Sequence, residues 1–335
     1  MTRALRCAGG ALAVCALAAC ARPEEGPPLP ARHQRYGVFR DLVLIARREA
    51  KGGPYFLDRF ETSRRDLLEW LAETGTPPPP GWAESRSAGA DDPASLRPAT
   101  CVDLDTARRY ARWRFCRLPT FAEWEHAATA GGAYRFPWGD PIRAEWANTS
   151  ELGLGQPTAI GTFESGRSPD GPYDLIGNAA EWTETLSPAA ASDLLAAPRL
   201  PAITVWLGLC APAPLFAQVA AAPRVPARVV AGGAYLDLGD RETRALSRPA
   251  ASALSCRPYE WSDTIGVRLA ADPAGLLAAL LCEPELPDAA AQRVLREFLE
   301  QPGHRAVLAP ALLAATAAVA EPGPLLALLH ESLRP

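Results

Sequence analysis

The residues best suited to chemistry stand in one short run, Asp237-Leu238-Gly239-Asp240-Arg241-Glu242. Carboxylates this close together can hold a hard cation or exchange protons with a bound substrate, so Asp237, Asp240 and Glu242 are candidates for either task. An ordinary solvated loop with local arginine pairs has the same composition, and both readings stay open. Other chemistry finds less support. His33, His126, His304 and His330 are not at ligand spacing with one another. No cysteine pair has the CxxC spacing of a zinc site.

The beginning of the chain carries a different kind of signal. Arg3 and Arg6 precede an apolar stretch from Cys7 to Ala16, followed by Leu17-Ala18-Ala19-Cys20. A short positive region, an apolar core too short to span a bilayer and small residues before a cleavage point make an export signal. Its ending resembles a bacterial lipobox, which implies cleavage before Cys20 and acylation of that thiol. The alternative is an ordinary secretory signal cleaved nearby. Either way the protein is expected to be exported to the bacterial cell envelope. The lipobox reading adds a membrane anchor at Cys20, and Ala21 after it points to the outer membrane. Of the eight cysteines, those remaining after Cys7, Cys15 and Cys20 are Cys101, Cys116, Cys210, Cys256 and Cys282. That is an odd number, so at least one thiol is expected to be free in an oxidising compartment.

These residues need a scaffold, and 335 residues allow one domain of ordinary size with a smaller companion. A hydrophobic content of 48% supports a buried core, while 34 prolines and 26 glycines predict many loops and turns. With 34 basic and 38 acidic residues the net charge is -4, which argues against nucleic acid as a partner. Residues 1–19 read as the signal, and 20–35, rich in Pro and charge, as a tether. Phe39 to Ile45 and Tyr55 to Phe60 suggest strands. Ser63 caps a helix that ends at Gly75, and Asp105 caps another with Ala107, Tyr110, Ala111 and Trp113 inward. An Ala- and Pro-rich insertion covers about 187–227. From 273 to 335 the spacing becomes helical, with Val294, Leu295, Phe298 and Leu299 on one stripe and Leu308, Leu312 and Leu313 on another. This end reads as a small helical hairpin.

Several segments, in order, resemble the formylglycine-generating (sulfatase-modifying) enzyme family. They are Phe60-Glu61-Thr62-Ser63, Arg117-Leu118-Pro119-Thr120-Phe121-Ala122-Glu123-Trp124-Glu125, Phe136-Pro137-Trp138-Gly139, Ala147-Asn148, Tyr173 to Trp182, Ala231-Gly232-Gly233-Ala234-Tyr235 and Gly266-Val267-Arg268. The resemblance implies an α+β fold, irregular and C-type-lectin-like, over 36–272, with the helical end as an extension. Trp124, Trp138 and Trp182 are then large anchors whose indole N–H groups need partners, and Arg117, Glu123 and Glu181 are expected in buried charge pairs.

The resemblance also implies function. Family members bind structural calcium through a loop that maps here to Asp174, Gly177, Ala179 and Glu181, with the first and last supplying carboxylates and the others carbonyls. Without calcium, Asp174 would cap a turn and Glu181 would pair with an arginine. A second family calcium site would begin at Asn148-Thr149, but its acidic loop is shortened here. Active members oxidise a substrate cysteine with oxygen and copper(I) held by two thiolates. Those positions fall at about Asp237 and Glu242, hard donors ill suited to copper(I). The family serine is Ala234 and a pocket tryptophan is Ala180; Cys256 is alone and displaced. Copper is therefore not expected, and no paired-His helix offers an iron site. The expectation is a non-catalytic binding or scaffold module for a protein or glycan. The alternatives are a family oxidoreductase with an altered metal site, or assembly through the helical end alone.

Overall fold

A computed structural model describes residues 31–46, 52–79, 82, 93–141, 143–186, 228–236, 254–256 and 262–334. The signal, Cys20, the 187–227 insertion and the Asp237–Glu242 run lie outside these residues.

The chain enters as a 3-10 helix over Ala31–Arg40 and continues into β1, Leu42–Ile45. β2, Tyr55–Asp58, pairs antiparallel with β1, setting Leu42 opposite Asp58 and Ile45 opposite Tyr55. Helix α1, Arg64–Thr74, starts on a capping box between Ser63 and Asp66 and stops at Gly75, whose φ of 62° is left-handed. Helix α2 spans Leu104–Trp113, and its cap is Asp103, whose side chain accepts from the Thr106 N–H; Asp105 sits inside the first turn instead. Both acids can cap in principle, and the extended backbone at Asp103 decides between them. Helix α3, Phe121–Ala128, opens on a second capping box, Thr120 with Glu123.

Two small sheets follow from these elements. The first has the order β1-β2-β7, with β7 at Ala270–Ala271. The second has the order β5-β4-β3-β6, built from β3 (Ala180–Leu186), β4 (Arg228–Ala231), β5 (Leu254–Cys256) and β6 (Ile265–Gly266). β3 runs antiparallel to β4 and parallel to β6, so an irregular mixed sheet carries the centre of the molecule.

Helices α4 (Pro273–Leu281), α5 (Ala289–Leu299), α6 (Pro302–Ala318) and α7 (Leu326–Ser332) complete the chain. They are more than a hairpin, and they share the main core. Leu276, Leu280, Leu295, Phe298, Leu308 and Leu329 are buried in the same cluster as Tyr36, Phe39, Phe56 and Trp182. Phe298 lies 5.0 Å from both Phe39 and Phe56, ring to ring. The Val294-Leu295-Phe298-Leu299 stripe is buried as the spacing implies, whereas Leu313 is 77% exposed and only Leu308 and Leu312 of its stripe face inward. Leu313 follows Leu312 by 100° of helical rotation, which carries it out of the packed face. Among the described residues no helix is long and apolar enough to cross a membrane.

Candidate functional site

β3 opens with Ala180-Glu181-Trp182, and strand alternation sends the middle residue to one face and its neighbours to the other. On the Glu181 face lies a buried charge node. Arg268 donates to both carboxylate oxygens of Glu181, at 2.7 Å from Nη2 and 2.9 Å from Nε. Trp124 Nε1 donates to Oε2 at 2.8 Å. The other guanidinium donors reach the carbonyls of Asp58 and Tyr173. Glu181 is 1% exposed and Arg268 fully buried, so this pair holds only because every donor and acceptor is filled.

Two more acids lie beside this node. Glu61 accepts from the Ala179 N–H at 2.9 Å and from Asn178 Nδ2 at 2.6 Å. Asp174 accepts from the Gly161 N–H at 2.6 Å and adopts a left-handed φ of 53°. Burial, reinforced by Asp174 and Glu181, raises the Glu61 carboxyl well above its usual range. Burial likewise pushes Asp174 up to about 6. The loop between them is held by Asn178, whose Oδ1 accepts from Asn148 Nδ2 and the Thr158 N–H. At Gly177 an added Cβ would meet the Asn148 carbonyl oxygen at 2.3 Å, so this crossing of two loops requires glycine.

Of the expected calcium carboxylates, Glu181 is paired with Arg268 and Asp174 accepts from the Gly161 N–H. Glu61, Asp174 and Glu181 face one guanidinium, an excess of buried negative charge that suits a divalent cation. Glu181 is committed to Arg268, whose positive charge stands where a cation bound to Glu181 would sit. Among the described residues no three His, Cys, Asp or Glu side chains converge closely enough to hold a metal alone. The fit to calcium is therefore one of charge, centred on Glu61 and Asp174, with carbonyls needed to complete it. Asn148 Oδ1 and Thr149 Oγ1, where a second site would begin, are buried without a hydrogen-bond partner.

The opposite face of β3 is apolar. Ala180 and Trp182 are both buried in the main core, and Trp182 Nε1 donates to the Val102 carbonyl at 2.8 Å. Ala234 is buried nearby in sequence to Tyr235, whose N–H donates to the Asn178 carbonyl and whose hydroxyl donates to Asp263 at 3.3 Å. Asp237, Asp240 and Glu242 follow, outside the described residues, as do the side chain of Cys256 and the lipobox cysteine Cys20. Among the described residues, Cys116 and Cys282 are free thiols.

A family model for the sulfatase-modifying factor enzyme 1-like domain matches residues 33–273. The chain belongs to that family. The α+β fold is accordingly that of a sulfatase-modifying factor enzyme 1-like domain. The chain is 34% identical over 138 residues to a formylglycine-generating enzyme of Mycobacterium tuberculosis, covering 36% of this chain and 44% of that one. It is 31% identical over 169 residues to the inactive C-alpha-formylglycine-generating enzyme 2 of Bos taurus, covering 47% and 52%. The chain thus spans about half the length of these relatives. Among solved structures it is similar to PvdO from Pseudomonas aeruginosa, with a TM-score of 0.42 and 21% identity over 65% of this chain and 80% of that chain.

Within the sulfatase-modifying factor domain, the sequence motifs act as positioning devices. Arg117 and Glu123, both within the strongest motif, bond at 2.7 and 2.8 Å while Glu123 also caps α3. Burial raises the Glu123 carboxyl, but its bonds to Arg117 and Thr120 outweigh that and hold it low. Arg268 and Glu61 were visible only as letters of motifs; their role as partners of Glu181 and its loop had no local signal. His126 is a rim residue, half-buried at the end of α3.

Proposed function

We propose that this chain is an exported, membrane-anchored lipoprotein whose family domain lacks oxidase activity and serves as a binding or scaffold module for a protein or glycan. The observation that carries this reading is the pair Ala180 and Ala234, both buried as methyl groups at the positions where the family resemblance calls for tryptophan and serine. The oxygen donors Asp237 and Glu242 at the thiolate positions, and the likeness to a relative named inactive, support it. Anchoring rests on the lipobox-like ending at Cys20, and an outer-membrane location on Ala21. We further infer one structural calcium near Asp174, bound with the carbonyls of Gly177 and Ala179 and favoured by the charge excess at Glu61. When bound, the ion would neutralise buried carboxylates and fix the loop.

The test combines activity and metal content. The purified chain, supplied with copper(I), oxygen and a cysteine-containing sulfatase peptide, is expected to yield no formylglycine by mass spectrometry and to retain no copper. Calcium is expected to raise its thermal midpoint relative to a chelator. Formylglycine produced only when the protein is present would overturn the proposal. Stoichiometric copper or iron that is lost on Asp237→Ala or Glu242→Ala would instead support an oxidoreductase with an altered metal site.

A further inference from the structure

We propose that the cleft between Trp138, Trp146 and the Glu164–Arg167 turn, whose lining includes neither Ala180 nor Ala234, is a binding site for a neutral saccharide. The cleft measures about 500 Å³, inside the roughly 300–1,000 Å³ range of small-ligand sites. Its aromatic walls are fixed in place. Trp138 stacks on the buried Phe136 at 5.3 Å and 15°, and its Nε1 donates to the Pro141 carbonyl at 2.9 Å. Trp146 meets Trp138 edge-on, at 6.1 Å and 82°, so the two indoles form a right-angled corner. Tyr134, 44% exposed, extends the wall.

The polar rim is built against this corner. The 3-10 turns Ala144–Trp146 and Glu164–Gly166 touch through backbone, because a Cβ at Gly166 would lie 2.1 Å from the Trp146 carbonyl oxygen. That contact holds Glu164 and Arg167 beside Trp146. Glu164 accepts from the Tyr173 hydroxyl and pairs with Arg167 at 3.2 Å, yet both charged side chains remain about half exposed.

This combination selects a ligand class. A pyranose ring presents apolar C–H faces that pack on indoles, while its edge carries vicinal hydroxyls, each both donor and acceptor. One hydroxyl can donate to the Glu164 carboxylate as its neighbour accepts from the Arg167 guanidinium. A proline-rich peptide could stack on the same rings, but its imides have no N–H to offer the carboxylate. For a polyanion the Arg167 charge is already compensated by Glu164, which leaves that pair no net attraction to offer. The proposal rests on the binding-module reading for its biological use only. Its chemistry stands whether or not the chain oxidises a thiol.

Saturation-transfer NMR on the full chain, in a detergent without a sugar headgroup, tests it against neutral oligosaccharides, a proline-rich peptide and a sulfated polysaccharide. At least one neutral oligosaccharide is expected to receive saturation. Trp146→Ala is expected to weaken it by about tenfold or more, a change equivalent to about 1.4 kcal/mol. Glu164→Gln, at an exposed side chain that leaves the core intact, is expected to weaken it several-fold and keeps the test decisive should Trp146→Ala fail to fold. Absence of saturation with every saccharide, affinity unchanged in Glu164→Gln, or binding of the peptide or polyanion alone would overturn the proposal. The oxidase assay above is read separately, so either proposal can fail without the other.

Discussion

Ala180 and Glu181 are adjacent on β3 and serve opposite faces of it. Glu181 is surrounded by Arg268, Trp124 and the Glu61 loop, with each of its oxygens bonded. Ala180 presents a methyl to an apolar core that includes Trp182 and Ile265. The difference teaches what two faces of one strand demand of their residues. On the charged face each group is required by another, because removing one leaves an unpaired buried charge. On the apolar face only volume is required, and a methyl group meets that requirement without any reactive atom.

The largest expected effect comes from breaking the charged face. Arg268→Met should destabilise the protein by about 3–5 kcal/mol, since Glu181 would remain buried without its cation. Denaturant unfolding measures this, and a loss below about 1 kcal/mol would mean that the node is not what holds the frame. Next comes the apolar face. If it has closed around the methyl, Ala180→Trp must overpack the core and destabilise by about 1–3 kcal/mol. A tryptophan accepted at no cost would show that the pocket volume survives, and the contrast between the two faces would weaken.

The sequence discloses local devices better than distant partnerships. The Ser63 cap and the Gly75 stop of α1 were legible because each acts within one turn of its own helix. The choice between Asp103 and Asp105 was not, since it depends on backbone angles that neighbouring elements impose. The motif around Glu123 announced charges that need partners, and the partner, Arg117, lies only six positions away. Glu181 announced an arginine partner but not which one: Arg268 lies 87 positions downstream. Glu61 reaches its loop across 117 positions, and nothing near it marks the contact. The same limit applies to the C-terminal helices. Their stripes were readable, but a change of composition at Pro273 suggested a separate unit, and only packing of Phe298 against Phe39 and Phe56 makes them part of the main core.

A subtler test uses Asp58, whose carbonyl accepts from the same guanidinium that pairs with Glu181. Its own carboxylate is buried, and Oδ1 has no hydrogen-bond partner. Burial raises this carboxyl well above its ordinary value of 3.8, Asp41 adds to the shift, and Arg268 and Arg114 oppose it. The sign follows from proton binding. The folded state keeps a proton that the unfolded chain releases, so stability declines as pH rises from the unfolded value toward the folded one. Asp58→Asn removes that decline. The variant should match the parent in acid and exceed it by about 1 kcal/mol or more at neutral pH, because an amide needs no proton taken up on folding. Unfolding measured across pH decides the matter. A variant less stable at every pH would place Asp58 with Glu181 among the charges the frame requires. The predicted divergence with rising pH would confirm that burial alone does not make a carboxylate structural, and that full pairing is what separates Glu181 from it.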